Sequence, residues 1–224
     1  MENSTENKAN SEEKGSNMFL KSKFREQLEK VWDLVKFAAI ALAIVIPIRL
    51  YIAQPFVVSG DSMFPTFHDG QYLIVDEISY ILQGPHRGDV IVFRYPKDPS
   101  RFFIKRIIGM PGEKINIKDD TQNITVTVTN DANPDGFKLT EPYMNERFTT
   151  TDQCRIHKNE ITPTDKTFTT GPNEYFVMGD NRDCSSDSRI WGLLPRKLMV
   201  GRAYLRLLPF GDISYLPGAY KESK

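Results

Sequence analysis

Twelve consecutive apolar residues, Phe37 to Ile48 (FAAIALAIVIPI), divide this 224-residue chain into two unequal parts of different charge. Ahead of them stand Lys21, Lys23, Arg25, Lys30 and Lys36, whereas residues 51–86 contain no Lys or Arg. A run of that length alone fits a buried helix or the core of a secretory signal better than a membrane span. Continued through the mostly apolar residues after Arg49, a helix over 37–53 rises roughly 25 Å. That approaches the hydrocarbon thickness once Arg49 reaches for the interface. A secretory signal does not ordinarily follow so long a polar stretch, and the charge asymmetry places the N-terminus on the cytoplasmic side. The expectation is a polar cytoplasmic segment over 1–36, a transmembrane helix over 37–55, and all later residues outside the cytoplasmic (inner) membrane. A core helix in a soluble domain is the alternative. Within 1–36 the first residues have the composition of a disordered tail, and Phe24, Leu28 and Val31 recur at helical spacing.

Composition narrows the function classes. The formal net charge is zero, which argues against a nucleic-acid partner, because phosphate binding needs a surplus of Lys and Arg on one face. Two cysteines, Cys154 and Cys184, exclude a disulfide-dense scaffold. They either pair with each other or stand as free thiols, and the free state is the expectation. His68, His86 and His157 stand outside apolar frames and outside any metal-ligand spacing, so neither a metal site nor a histidine base is expected. No cofactor is called for.

After residue 55 the pattern is one of short β-type runs broken by turn chemistry. Strands are expected over 72–78, 89–96, 101–110, 114–117, 123–129, 173–180 and 200–208, with turns at Asp-Gly, Arg-Gly-Asp, Pro-Gly, Asn-Pro-Asp-Gly and Gly-Pro-Asn between them. Residues 119–172 are rich in Thr, Asn and Asp. The expected fold is all-β: an antiparallel-sheet catalytic core over 56–118 and 173–212, an inserted β subdomain over 119–172, and a tail over 213–224.

Three segments carry chemistry. In Ser59–Thr66 (SGDSMFPT) a flexible Gly60 and a stiff Pro65 flank Ser62, as a nucleophile on a sharp bend requires; alone, the segment reads more readily as a plain turn. Lys105 stands among Phe102, Phe103, Ile104 and Ile107 in a strand. Such a setting strips water from the ammonium and lowers its pKa, so the neutral amine can take a serine proton; alone, it reads more readily as a lysine on a wet strand face. Gly179–Arg189 (GDNRDCSSDSR) packs five charges and three serines into eleven residues, a density that suits an ion-paired shell holding other groups in place.

In chain order, SGDSMFPT, RGDVIVFRYP (87–96), FIKRIIGMPGE (103–113) and GDNRDCSSDSRIWGLLP (179–195) resemble the sequence boxes of bacterial type I signal peptidases. The resemblance spans residues 35–209. It implies that Ser62 attacks the scissile carbonyl and that Lys105 serves as general base and then acid. It also implies that Ser185 orients the lysine, and that Arg106, Asp180, Asp187 and Arg189 form an ion-paired support. Pocket positions implied in the same way are Met63, Phe67, Leu73, Val92, Phe103 and Ile104. The implied activity is removal of signal peptides from exported preproteins after small residues of the Ala-x-Ala kind. Signal peptides, the phospholipid membrane and the secretion machinery are the implied partners. Some members carry an oxyanion-hole serine two positions before the nucleophile. Gly60 stands there in this chain, so the hole is expected to rest on backbone N–H groups at Gly60 and Ser62. Two other readings accommodate part of the pattern: a processing peptidase with one narrow substrate, and a tethered β domain that binds exported proteins without cutting them.

Overall fold

The computed structural model describes residue 27 and residues 30–46, 53–119, 124–144 and 165–218. Residues 30–46 form a helix, α1, in the unit that ends at Leu50. Phe37, Ile40 and Leu42 lie between 55% and 71% exposed. Among the described residues no helix is long and apolar enough to cross a membrane. The expected helix over 37–55 is also too long at its C-terminal end. Ala53–Val57 is strand β1, whose residues pair with β2 (Tyr72–Asp76) from Ala53↔Asp76 to Val57↔Tyr72. Pro55 fits there because a proline without its N–H is tolerated on an edge strand.

The described residues of the unit from Tyr51 onward form two antiparallel sheets. The larger adds β3 (Val90–Tyr95), β4 (Asp98–Gly109), β9 (Glu174–Met178), β10 (Leu194–Pro195), β11 (Met199–Leu208) and β12 (Ser214–Tyr215). Its order is β1-β2-β11-β3-β4-β9-β10, with β12 also on β11. The smaller sheet runs β7-β6-β5-β8, where β5 is Lys114–Asp119, β6 Ile124–Asn130, β7 Asn133–Lys138 and β8 Asp165–Thr169. The all-β antiparallel expectation therefore holds. Two short helices, α2 (Ile78–Leu82) and α3 (Ser188–Trp191), interrupt it.

Several expectations are corrected by the strand pairing. The run at 114–117 is expected in the core, yet β5 is an interior strand of the smaller sheet, bonded to β6 and β8. The Asn-Pro-Asp-Gly signal marks no turn; it lies inside β7. The reversal is one step earlier, between Asn130 and its partner Asn133, and a register shift there accommodates Gly136 at φ +77°. The supposed tail supplies β12, and Leu216 bonds back to Tyr204 O.

Burial explains why β3 is central. Val90, Ile91, Val92 and Phe93 are all buried, so both faces of that strand are covered. A second core joins the two sheets, with Ile108, Phe176 and Met178 meeting Ile115, Val126 and Val128. Where the chain passes between sheets, the Glu113 carboxylate accepts from Arg87 at 2.6 Å, Asn130 at 2.9 Å and the Met110 N–H at 2.8 Å. Thr170 closes the return, accepting from Glu113 N and donating to Met110 O. Glu113→Leu removes the carboxylate from this buried joint and is expected to cost about 3 kcal/mol. The urea midpoint reads that loss, and a midpoint unchanged from wild type would deny the joint its role.

Candidate active site

Ser62 stands on a tight turn pinned from below. The Phe64 N–H donates to Asp61 O and the Phe67 N–H to Met63 O, while the Met63 and Phe67 side chains are fully buried with Val58, Leu73, Val90 and Ala203. Gly60 enters the turn at φ +82°, a conformation that side-chain-bearing residues rarely adopt. Its N–H donates to Asp69 Oδ1 at 2.7 Å, so that donor is already engaged. The Ser62 N–H has no acceptor among the described residues.

Lys105 reaches Ser62 from β4, where it pairs opposite Ile91. Its Nζ is 2.7 Å from Ser62 Oγ and donates to Ile104 O at 2.8 Å. Burial pulls the ammonium down from its ordinary 10.5 to about 8; Asp187 and Asp180 pull the other way, and Arg189 adds to the lowering. A lysine at 4% exposure beside a serine hydroxyl can be neutral at a mildly alkaline pH.

Ion pairs surround the two residues. Arg106, the next residue on β4, grips Asp180 through Nε to Oδ1 at 2.8 Å and Nη2 to Oδ2 at 2.6 Å. Arg106 Nη1 also donates to Gly88 O and Gly218 O. Asp187 caps α3 and takes both Oδ atoms to Arg189, each at 2.8 Å. Burial pushes the Asp187 carboxyl up, but Arg189 and the Gly179 N–H outweigh it and hold the group below its usual range. The Asn181 N–H donates to Ser62 O at 3.1 Å, fastening the Ser62 carbonyl to this segment. Gly179 must lack a side chain, because a Cβ there would meet Ser185 Oγ and Ser62 O.

The family described as signal peptidase, peptidase S26, matches residues 31–208. Signal peptidase IB of Staphylococcus aureus (strain MRSA252) is 33% identical over 185 residues, 79% of this chain and 89% of its own. The chain belongs to the signal peptidase family, peptidase S26. It is a serine peptidase. The probable signal peptidase I-1 of Synechocystis is 30% identical over 203 residues, 83% of this chain and 92% of its own. A crystal structure of signal peptidase I from Enterococcus faecalis V583 aligns at 29% identity and TM-score 0.39, over 53% of this chain and 95% of that one.

Not every expected residue of the peptidase sits where the sequence reading put it. Leu73, Val92, Phe103 and Ile104 line a cleft of about 550 Å³ that opens onto Ser62 and Lys105, together with Phe56, Val58 and Phe102. Met63 and Phe67 do not line it: both are fully buried beneath the turn. The Ser185 hydroxyl makes no hydrogen bond to Lys105. It is fully buried without a partner of good geometry, beside the Asp187 carboxylate that it helps to hold down. Cys184, on the cleft wall, is disulfide-bonded, which corrects the expectation of a free thiol. Cys154 and His157 lie outside the described residues. His68 is exposed and set edge-on to Phe64; His86 is exposed near Asp89.

Sequence reasoning passed over Thr66, Asn181, Glu141, Tyr143 and Gly218. Thr66 Oγ1 donates to Asp180 Oδ2 at 2.5 Å. Its signal is the Pro-Thr pair after Ser62, and Asn181 stands in the GDNRD segment without an assigned task. Glu141, Tyr143 and Gly218 carried no signal.

Proposed function

We propose that this peptidase removes N-terminal signal peptides from exported preproteins, cutting after small residues of the Ala-x-Ala kind, with Ser62 as nucleophile and Lys105 as general base. The observation that carries the reading is the 2.7 Å approach of a buried Lys105 Nζ to Ser62 Oγ. In the neutral form the amine accepts the Ser62 proton as Oγ attacks the scissile carbonyl. The resulting oxyanion meets the Ser62 N–H, a donor with no acceptor among the described residues. Lys105 then returns the proton to the departing amine, and a water activated by the same amine releases the acyl group from Oγ.

The cleft suits an extended peptide. β1 is the outer strand of the larger sheet, and β4 pairs with β9 only from Arg106 onward. Backbone groups of β1 and of residues 101–105 are thus open on the cleft side to a bound strand, while Leu73, Val92 and Ile104 offer shallow apolar contact for small side chains. The catalytic domain lies outside the cytoplasmic membrane in this reading, tethered by the apolar segment from Phe37 to Ile48. The outward-facing Phe37, Ile40, Leu42 and Ile44 support that anchor, as does the charge asymmetry across it. The names of the Staphylococcus and Synechocystis relatives support the substrate class.

The test is a detergent-solubilised full chain incubated with a preprotein carrying an Ala-x-Ala site, its products located by mass spectrometry. Cleavage after the second alanine, absent in Ser62→Ala, supports the reading. Intact preprotein with several such substrates overturns it.

A further inference from the structure

The inserted sheet reaches back to the site through a short strap. Leu139 is buried in the core between the sheets, and residues 141–144 close a turn with the Met144 N–H on Glu141 O. From this turn two side chains enter the charged support of the dyad. Glu141 takes both ends of Arg182, Nη1 to Oε2 at 3.0 Å and Nη2 to Oε1. Tyr143 lays its ring on the Arg106 guanidinium, 3.8 Å from ring centre to Cζ, and donates its hydroxyl to Glu141 Oε1 at 2.6 Å.

Both cations are buried, Arg182 with 2% of its side chain exposed and Arg106 with none. Each adjoins a residue that handles the dyad. Arg106 follows Lys105 on β4, and Arg182 follows Asn181, whose N–H holds Ser62 O. A planar guanidinium clamped by a carboxylate edge and an aromatic face has little freedom left. The strap therefore bears on the neighbours of both reacting groups while touching neither.

We propose that Glu141 and Tyr143 are positioning residues for the Ser62–Lys105 pair, so that the inserted sheet sets the chemical step and not only the stability of the domain. The proposal rests on the dyad reading above. None of the cleft-lining residues belongs to the strap, so substrate binding is left alone and the effect falls on kcat.

The experiment uses the full chain in detergent and a short peptide with an Ala-x-Ala site. Tyr143→Leu removes the aromatic face and is expected to lower kcat by roughly ten- to a hundredfold, the cost of a small misplacement of reacting atoms. KM is expected to stay within twofold. Tyr143→Phe keeps the ring on Arg106 and restores kcat to within about threefold of wild type. Glu141→Gln, which takes a charge from Arg182, gives the same split, and in both damaged variants the Asn181 amide exchanges its hydrogen faster. Because Glu141→Gln also weakens folding, rates are referred to the folded fraction from near-ultraviolet circular dichroism. Wild-type kcat in Tyr143→Leu overturns the proposal, as does a fall in kcat and folded fraction together that phenylalanine does not rescue. Cleavage persisting in Ser62→Ala overturns the dyad reading instead, so the two failures are distinguishable.

Discussion

Lys105→Met is expected to reduce kcat by about 10⁴-fold or more, because the amine 2.7 Å from Ser62 Oγ disappears and no histidine among the described residues stands beside it to take over. As the proposed base, Lys105 must be neutral to act. Its pKa, lowered from 10.5 to about 8 chiefly by burial, is then expected to set the acidic limb of the pH profile. kcat/KM is expected to rise about tenfold per pH unit up to about 8 and to level above it. The same burial makes Lys105 a cost to the fold. A lysine whose folded pKa lies below its unfolded value is bound to its proton more weakly in the native state. Between about 8 and 10.5 the unfolded chain holds more protons, so this group's penalty relaxes as pH rises through that window and applies in full below it. Lys105→Met is therefore expected to be inactive and more stable than wild type at pH 7, by roughly 3 kcal/mol at most. Urea unfolding at pH 7 and a pH–rate profile check the two halves. A profile flat from pH 6 to 9, or a methionine variant less stable than wild type, would remove Lys105 from the role of buried base.

That a lysine 43 positions downstream meets Ser62 was legible because both residues sit in segments whose neighbours are informative. Lys105 lies in a run of aromatic and β-branched residues that can only be a half-buried strand, and β3, β6 and β11 were readable for the same reason. Other elements lacked such a pattern. Ala53–Val57 is mostly apolar and follows the apolar run Phe37–Ile48, so its sequence reads as more helix; only its pairing with β2 makes it a strand. β8 (DKTFT) is polar and β7 contains Asn-Pro-Asp-Gly, so both owe their extension to bonds made across the smaller sheet. Met63 and Phe67 show a different limit. Their apolar character was plain, but identity alone does not tell a pocket wall from the core beneath it. Glu141 and Tyr143 were invisible because a buried ion pair between distant segments leaves no periodicity behind. Each looks like an ordinary loop residue until Arg182 and Arg106 are placed against it.

Asp180→Ala is expected to be the most destabilising single change in the site, by about 3–5 kcal/mol. Arg106 is fully buried, and Asp180 supplies both oxygens of its bidentate partner. The carbonyls of Gly88 and Gly218 also accept from Arg106, but they carry only partial charge and do not replace a carboxylate. The Thr66 hydroxyl loses its acceptor as well, which loosens the turn behind Ser62. Against a typical total stability of about 5–15 kcal/mol, that is a large part of the margin. The cost arises from the stranded charge more than from the lost attraction, and this distinguishes the pair from a generic polar contact. Asp180→Leu combined with Arg106→Met removes both charges and is expected to recover most of the stability. It is not expected to recover activity, because the residue beside Lys105 no longer ties β4 to Gly88 and Gly218. Urea midpoints for the single and double variants, with peptide cleavage on the same samples, separate the two effects. A double variant as unstable as Asp180→Ala would mean that the hydrogen bonds to Thr66 and the two glycine carbonyls, and not the buried charge, hold this part of the site together.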